Sequence, residues 1–312
     1  MKNDFIITTD SSSDFSKIAL NKMGVLSIPY KYSNGNEIIE DSMDEKDYKV
    51  FYQKMKEGTI WKTSQINPQE YYTFFKEIYK KYHLPILHIS LGSGVSNTIN
   101  SLNIAINLLE EEGIIVKEID SKIASLGVGL IACNALELKN KGYDIDKVYN
   151  ELKDNIVPYI NTLYTTNTLT YFARGGRLSK VEAFVGNALR INPILDVNPS
   201  GNLRVIDKCH GTNKTLKRII ERIKATVIEP QNQILYVTHA DNEERAIDVA
   251  KEIVSECGFK NYLLTFMGPI IGAHAGPGLI AVFYKGKERK QNANYYLNNN
   301  YIENINISTH QN

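Results

Sequence analysis

The sequence predicts an α/β protein with two domains. Its 312 residues match about two domains at roughly 150 residues each. Short apolar runs alternate with amphipathic stretches of about 10–16 residues, as in a sheet with crossover helices. Residues 1–158 predict a mostly parallel sheet with flanking helices, and residues 159–285 predict a second α/β domain with a partly antiparallel sheet. Residues 286–312 predict a polar, Asn-rich tail outside the core.

Four apolar runs predict the strands of the first domain, at Phe5–Thr9, Val25–Tyr30, Leu84–Ser90 and Ile114–Asp120. Amphipathic stretches predict its helices, at Asp44–Gly58, Pro68–Tyr82, Ser96–Glu112 and Ile123–Lys141. The second helix has a clear start signal. Asn67 can cap it, Pro68 suits the first helical position, and Glu70 completes a capping box.

The second domain follows a break near Val157–Pro158. Its predicted strands are Asn161–Thr165, Asn192–Val197, Leu203–Lys208, Gln233–Thr238, Tyr262–Phe266 and Leu279–Tyr284. Its predicted helices are Thr212–Ile228 and Asn242–Cys257. The turn residues Asn198–Asn202 separate two apolar runs, which predicts a hairpin and hence antiparallel pairing.

Composition excludes several classes of function. Thirty-six Lys and Arg against 35 Asp and Glu leave a net charge of +1, which lacks the basic footprint of a nucleic-acid-binding protein. Three separated cysteines predict neither a disulfide framework nor a zinc site, and the histidines form no metal-ligand pattern. The first residues lack the apolar core of a signal peptide, and no apolar run is long enough to span a membrane. We expect a cytoplasmic protein without a metal or cofactor.

Three polar clusters follow predicted strands of the first domain: Asp10–Ser12, Gly92–Thr98 and Asp120–Ser121. The carboxyl ends of parallel strands form the crevice where ligands bind, and small polar residues at helix starts can approach an anion. Such residues are also common helix caps. Three clusters on one sheet edge favour a ligand site over capping alone.

The segment Gly92–Asn97 also approaches the dinucleotide fingerprint G-x-G-x-x-G. It follows a strand and opens a helix, and Asp120 ends the next strand. Asn97 stands where the third glycine would allow close helix–strand packing. A nucleotide- or phosphate-binding α/β enzyme built on this loop is therefore the alternative interpretation.

Three further segments are unusual. Thr63-Ser64-Gln65 is a polar turn before a helix, and Arg174–Arg177 is a glycine turn flanked by cations. Gly268–Gly278 holds four Gly and two Pro, which predicts an irregular path instead of a regular helix. We expect this constrained loop to present His274 to a ligand.

Together these segments resemble the DegV family, whose members include the fatty-acid-binding partners of fatty acid kinases. The matching pieces run in family order over about residues 4–285: TDSSSDF, TSQINP, HISLGSGVSNTINS, EIDSKIASLGVG, ARGGRLS and GPIIGAHAGPG. The resemblance implies a two-domain carrier, and not an enzyme, that holds one long-chain fatty acid such as palmitate or oleate in an apolar tunnel. It also implies delivery of the carboxylate to a fatty acid kinase, which forms the acyl phosphate used in phospholipid synthesis. Such a carrier has no transmembrane segment but can contact a membrane transiently.

The resemblance also assigns residues. The carboxylate-binding positions of the family fall on Thr63, Ser96 and His274. Hydroxyl groups and an imidazole N–H are suitable donors to a carboxylate. The chain departs from the family pattern at Asn97 and Ile99, and it has His210 where members often carry Arg. Secondary contacts are expected from eight residues: Asp10, Ser11, Ser64, Ser93, Asn97, Arg174, Arg177 and His210.

Overall fold

The computed structural model describes residues 4–179 and 191–298. Its strands are β1 Ile6–Asp10, β2 Leu26–Ile28, β3 Lys31–Ser33, β4 Ile38–Glu40, β5 Lys62–Ser64, β6 Ile86–Ser90, β7 Val116–Asp120, β8 Ile160–Thr165, β9 Ile191–Val197, β10 Leu203–His210, β11 Ile234–His239, β12 Asn261–Phe266 and β13 Ile280–Lys285. Its α-helices are α1 Lys17–Met23, α2 Glu45–Lys56, α3 Pro68–Tyr82, α4 Thr98–Glu111, α5 Leu126–Asn140, α6 Ile145–Glu151, α7 Thr170–Arg174, α8 Thr212–Thr226, α9 Glu243–Cys257 and α10 Pro269–Ala275.

The first sheet is parallel, in the order β2-β1-β6-β7, as the sequence predicts. Every residue of β6 is buried, which is typical of a parallel strand covered on both faces. The carboxyl ends of β1, β6 and β7 carry the three polar clusters. The predicted crevice edge is therefore present.

The second sheet has six strands in the order β10-β9-β8-β13-β11-β12. Only β11 and β12 pair in parallel, so the prediction of a partly antiparallel sheet is confirmed. The predicted hairpin at Asn198–Asn202 joins β9 to β10, and Gly201 takes a positive φ of 86° there. Helices α8 and α9 cover the outer face of this sheet.

Helix α5 lies between the two sheets. It contacts β1 and β6 of the first sheet and β8, β11 and β13 of the second. Its first seven residues are all buried, as expected of a helix that is apolar on every side. One hydrophobic core therefore continues across residue 158, and the division into domains at this position stays a prediction.

A third, small sheet was not predicted. Strands β4, β3 and β5 pair antiparallel in that order. Each has only three residues, too few for an alternating hydrophobic pattern to be recognised. Strand β5 of this sheet carries Thr63.

The prediction of an irregular path over the whole Gly268–Gly278 segment is wrong, because Pro269–Ala275 is the helix α10. Pro269 takes the first helical position, where its missing N–H costs no intrahelical hydrogen bond. Gly276 ends the helix with a positive φ of 78°. The glycines and prolines thus define a short helix and its ends.

The C-terminal segment contacts the folded domains over its described part. Arg289 is only 7% exposed and donates hydrogen bonds to the carbonyl groups of Lys122 and Val157. Tyr296 donates to the carbonyl of Glu288. Parts of residues 286–298 therefore contact the folded chain, whereas their polar composition predicts a tail outside the core.

Candidate functional site

A cavity lies where α10, β5 and the loop after β6 meet. Its wall is mainly apolar and draws on both predicted domains: Tyr30, Thr63, Ser64, Gln65, Leu91, Val95, Ser96, Ala124, Tyr164, Phe172, Arg177, Leu203, Met267, Ile270, Ile271, His274, Ala275 and Leu279. The three residues predicted to bind a carboxylate are all in this wall.

Thr63 and His274 form a direct contact in the cavity wall. Thr63 Oγ1 lies 2.8 Å from His274 Nε2. Strand β5 supplies the threonine, and helix α10 supplies the histidine. Both side chains are half-buried, so they are shielded from bulk water but face the cavity.

The helix that carries His274 is fixed at its first turn. The N–H of Gly268 donates to Asp14 Oδ1 at 2.8 Å, and the hydroxyl of Tyr52 donates to the carbonyl of Met267 at 3.1 Å. Ser125 donates a further hydrogen bond to Asp14 Oδ2. These contacts from the first domain set the position of the histidine relative to Thr63.

His274 is neutral at physiological pH. Burial and, to a smaller extent, the nearby Arg177 cation lower the pKa of its imidazole to about 4. Nδ1 is buried and has no hydrogen-bond partner among the described residues. A proton on Nε2 avoids an unsatisfied buried N–H at Nδ1. That proton is then donated to Thr63, whose own hydroxyl hydrogen is free to bind an anion.

Ser96 lies in the loop after β6 and lines the cavity. Its Oγ accepts a hydrogen bond from the N–H of Thr98 at 3.2 Å, which leaves the hydroxyl hydrogen to donate elsewhere. Arg177 Nε donates to the carbonyl of Val95 at 2.9 Å. The guanidinium group therefore ties the loop carrying Ser96 to the segment after α7.

Asp10 and Ser11 do not line the cavity. Asp10 Oδ2 accepts from the N–H of Leu91 at 3.0 Å, and Ser11 Oγ accepts from the N–H of Tyr30 at 3.1 Å. Burial raises the pKa of Asp10 to about 6. These two residues hold wall residues in place, so their structural role is positioning.

Of the other predicted secondary contacts, Ser64 and Arg177 line the cavity. Four described residues do not: Ser93, Asn97, Arg174 and His210. Ser93 accepts from Lys122 Nζ and Arg174 lies over the ring of Tyr171, while Asn97 is exposed at the start of α4. Leu203, which lines the cavity, is the first residue of β10, and His210 is the last. They are seven positions apart along the strand, which corresponds to roughly 23 Å.

Sequence reasoning missed most of the apolar wall. Tyr30 lies just before β3, Tyr164 lies on β8 and Leu279 lies just before β13. Met267 and Ile270 come from the segment that begins α10. Each looks like an ordinary core residue in the sequence. Only the pairing of strands and the placement of α10 bring them together.

Among the described residues, no three His, Cys, Asp or Glu side chains are arranged to hold a metal ion. Within the same part of the chain, every helix is too short or too polar to cross a bilayer.

Gly175 lies close to the imidazole ring of His274, and this contact can be tested by mutation. An added Cβ would lie 2.2 Å from His274 Nδ1, although the φ of −75° suits alanine. We expect Gly175→Ala to destabilise the protein by about 1–3 kcal/mol through overpacking. Denaturant unfolding measures this loss. In a His274→Ala background the same substitution should cost much less, and an equal cost in both backgrounds would contradict the contact.

The comparisons with known proteins agree with this architecture. The family described as "Uncharacterised protein, DegV family" matches residues 4–287. A DegV domain-containing protein of Clostridium perfringens is 32% identical over 290 residues, which cover 92% of this chain and 99% of the relative. The structure of a DegV lipid binding protein from Thermotoga maritima has a TM-score of 0.81 at 26% identity, covering 92% of this chain and 100% of that one. DegV, a fatty acid binding protein from Bacillus subtilis, has a TM-score of 0.77 at 26% identity, covering 91% and 99%. This chain is a member of the DegV family.

Proposed function

We propose that this chain binds one long-chain fatty acid in the cavity, with the carboxylate held by the hydroxyl groups of Thr63 and Ser96, and with His274 orienting Thr63 through the hydrogen bond from Nε2. The observation that carries the proposal is the hydrogen-bonded pair of Thr63 and neutral His274 in the wall of a mainly apolar cavity. Two relatives with the same fold are described as a lipid binding protein and a fatty acid binding protein. Their description supports the assignment of the ligand.

The chemistry of the wall suits such a ligand. Burying each CH₂ group contributes about 0.8 kcal/mol, so the alkyl chain supplies most of the affinity. A buried carboxylate needs hydrogen-bond donors, because leaving it unpaired costs several kcal/mol. Thr63 and Ser96 supply hydroxyl donors, and Arg177 in the same wall adds a positive charge without a direct ion pair to a described carboxylate.

The nucleotide-binding alternative fits the loop after β6 less well. A Cβ on Gly92 would lie 2.5 Å from the backbone of Ile123, and a Cβ on Gly94 would lie 2.2 Å from the backbone of Gly201. Both glycines are thus needed for contacts with protein backbone. In a dinucleotide site, the glycine backbone instead approaches the pyrophosphate.

We propose a carrier in place of an enzyme, acting in the cytoplasm and presenting the carboxylate to a fatty acid kinase. Ser64 and Gln65 are exposed at the edge of the cavity beside Thr63, so the head-group end lies near the protein surface. A kinase could reach a carboxylate held there. Loading from a bilayer would require transient membrane contact.

The direct test is native mass spectrometry after gentle purification. We expect an added mass of fatty-acid size on each chain, and organic extraction should release about one fatty acid per protein. Addition of palmitate or oleate to delipidated protein should restore the mass. Protein that carries no lipid and takes up neither acid would rule out the proposed ligand.

Delivery to the kinase has its own test. Loaded protein is mixed with ATP and a fatty acid kinase, and acyl phosphate is trapped with hydroxylamine as the hydroxamate. We expect product only when the carrier, the kinase and ATP are all present. Product formed equally well from free fatty acid without the carrier would refute presentation while leaving fatty-acid binding intact.

A further inference from the structure

A second, smaller cavity lies away from the first, between the second sheet and the C-terminal strap, which we define as residues 288–297. Its wall on the sheet side includes Thr162, Asp196 and Arg204, and helix α8 contributes Arg222. Arg289 and Lys290 of the strap close it. Arginine and lysine thus outnumber carboxylates in this wall.

Arg289 is buried and has no carboxylate partner among the described residues. Its Nη1 donates to the carbonyl of Lys122 at 2.9 Å, and its Nη2 donates to the carbonyl of Val157 at 3.1 Å. Its Nε is buried and has no acceptor among the described residues. Burial lowers the pKa of the guanidinium group to about 10, so it stays charged at neutral pH.

Arg222 has the same unsatisfied group. It is 5% exposed, and its Nη atoms donate to the carbonyls of Ile206 and Ala293 and to Asn294 Oδ1. Its Nε, like that of Arg289, is buried and lacks an acceptor among the described residues. Two buried guanidinium groups in one cavity wall therefore each retain an unused N–H.

The nearby carboxylates are already paired. Asp196 accepts two hydrogen bonds from Arg204, at 2.6 and 2.9 Å. Asp207 is shared between Arg218 at 2.5 Å and Arg222 at 3.2 Å. Of the four cations that line this cavity, Arg289 is the one without an ion pair to a described carboxylate, and an uncompensated buried cation is costly.

We propose that this second cavity binds a small oxyanion of the phosphate or sulfate type, which accepts hydrogen bonds from Arg222 Nε and Arg289 Nε. Guanidinium groups match the oxygen geometry of such anions. Arg204 and Arg222 also donate to the carbonyls of Lys290 and Ala293. Anion binding would therefore stabilise the docked position of the strap.

The test uses the full chain and inorganic phosphate at constant ionic strength. Isothermal titration calorimetry should show saturable binding, and the melting temperature should rise with phosphate but not with chloride. Arg289→Lys and Arg222→Lys keep the charge but remove Nε, so each should weaken phosphate binding roughly 10- to 150-fold. Arg245→Lys, on α9, is the matched control, because Arg245 does not line this cavity. No saturable heat and no thermal shift with the wild-type chain would overturn the proposal.

A lipid phosphate group is the second source of the same chemistry. Flotation with phosphatidic acid vesicles tests it, with free phosphate as competitor. Flotation that free phosphate competes away assigns a lipid head group, whereas calorimetric binding without flotation assigns a free oxyanion. The absence of both flotation and calorimetric binding refutes the site. The lysine variants should bind fatty acid with the same affinity as wild type. Failure of the anion proposal would therefore leave the fatty-acid proposal unaffected, and the reverse also holds.

Discussion

Thr63→Ala is expected to weaken fatty-acid binding about 10- to 150-fold. The substitution removes one hydroxyl donor to a charged group, which contributes about 1.5–3 kcal/mol. It also leaves His274 Nε2 without its partner at 2.8 Å. Affinity for palmitate, measured by fluorescence displacement or calorimetry, checks the prediction.

The matched control is Thr59→Ala. Thr59 precedes β5 in the chain and does not line the cavity, so its loss should leave affinity unchanged. Melting temperatures of both variants should stay near that of wild type. If Thr63→Ala lowers stability but not affinity, Thr63 is a structural residue and the head-group assignment is wrong. Ser96→Ala and His274→Ala, measured in the same way, extend the test to the other two residues.

Asp14→Asn is expected to reduce the loss of folding stability that occurs as the pH rises. Burial raises the pKa of Asp14 to about 8 from 3.8. Between these values the folded state keeps a proton that the unfolded state has released, so wild-type stability falls as pH rises, by up to about 1.4 kcal/mol per pH unit. Asparagine can still accept the hydrogen bond from Gly268 N but does not titrate.

The measurement is urea unfolding of both proteins from pH 4 to pH 9. The free energy of unfolding of Asp14→Asn, relative to wild type, should increase from pH 4 to about pH 8 and then level off. Asp10 and Asp41, whose pKa values burial also raises, to about 6, titrate in both proteins and largely cancel. Asp248→Asn, at an exposed site on α9, is the control. A relative stability that does not change with pH would contradict a buried protonated Asp14.

Elements with a complete local signal were predicted well from the sequence. Helix α3 has the predicted bounds Pro68–Tyr82, and its capping box of Asn67 and Glu70 is present. The hairpin after Val197 likewise depends on local turn chemistry. In both places a few neighbouring residues determine the structure, so no tertiary information is needed.

Features that depend on tertiary contacts were predicted poorly. The short strands β3 and β5 have no hydrophobic pattern of their own, and their pairing joins residues that are distant in sequence, such as Lys31 and Ser64, which are 33 positions apart. Helix α10 was not predicted because its glycines and prolines are typical of loops. Hydrogen bonds to Asp14 and from Tyr52, which are distant in sequence, hold its N-terminal end in place. His210 was expected near the head group, but the length of β10 places it far away. The carboxylate-binding assignment of Thr63, Ser96 and His274 came from the family resemblance and stays a prediction.

The distance along the chain between Thr63 and His274 has a consequence for biosynthesis. The two residues are 211 positions apart, so a nascent chain cannot form the head-group site until nearly all of its domains have been synthesised and folded. Contacts this distant in sequence form late and slowly. A ligand that binds only the completed fold also stabilises it by mass action. Fatty acid in the surrounding medium should therefore raise the yield of intact protein during refolding, and fragments that end before α10 should gain nothing from it.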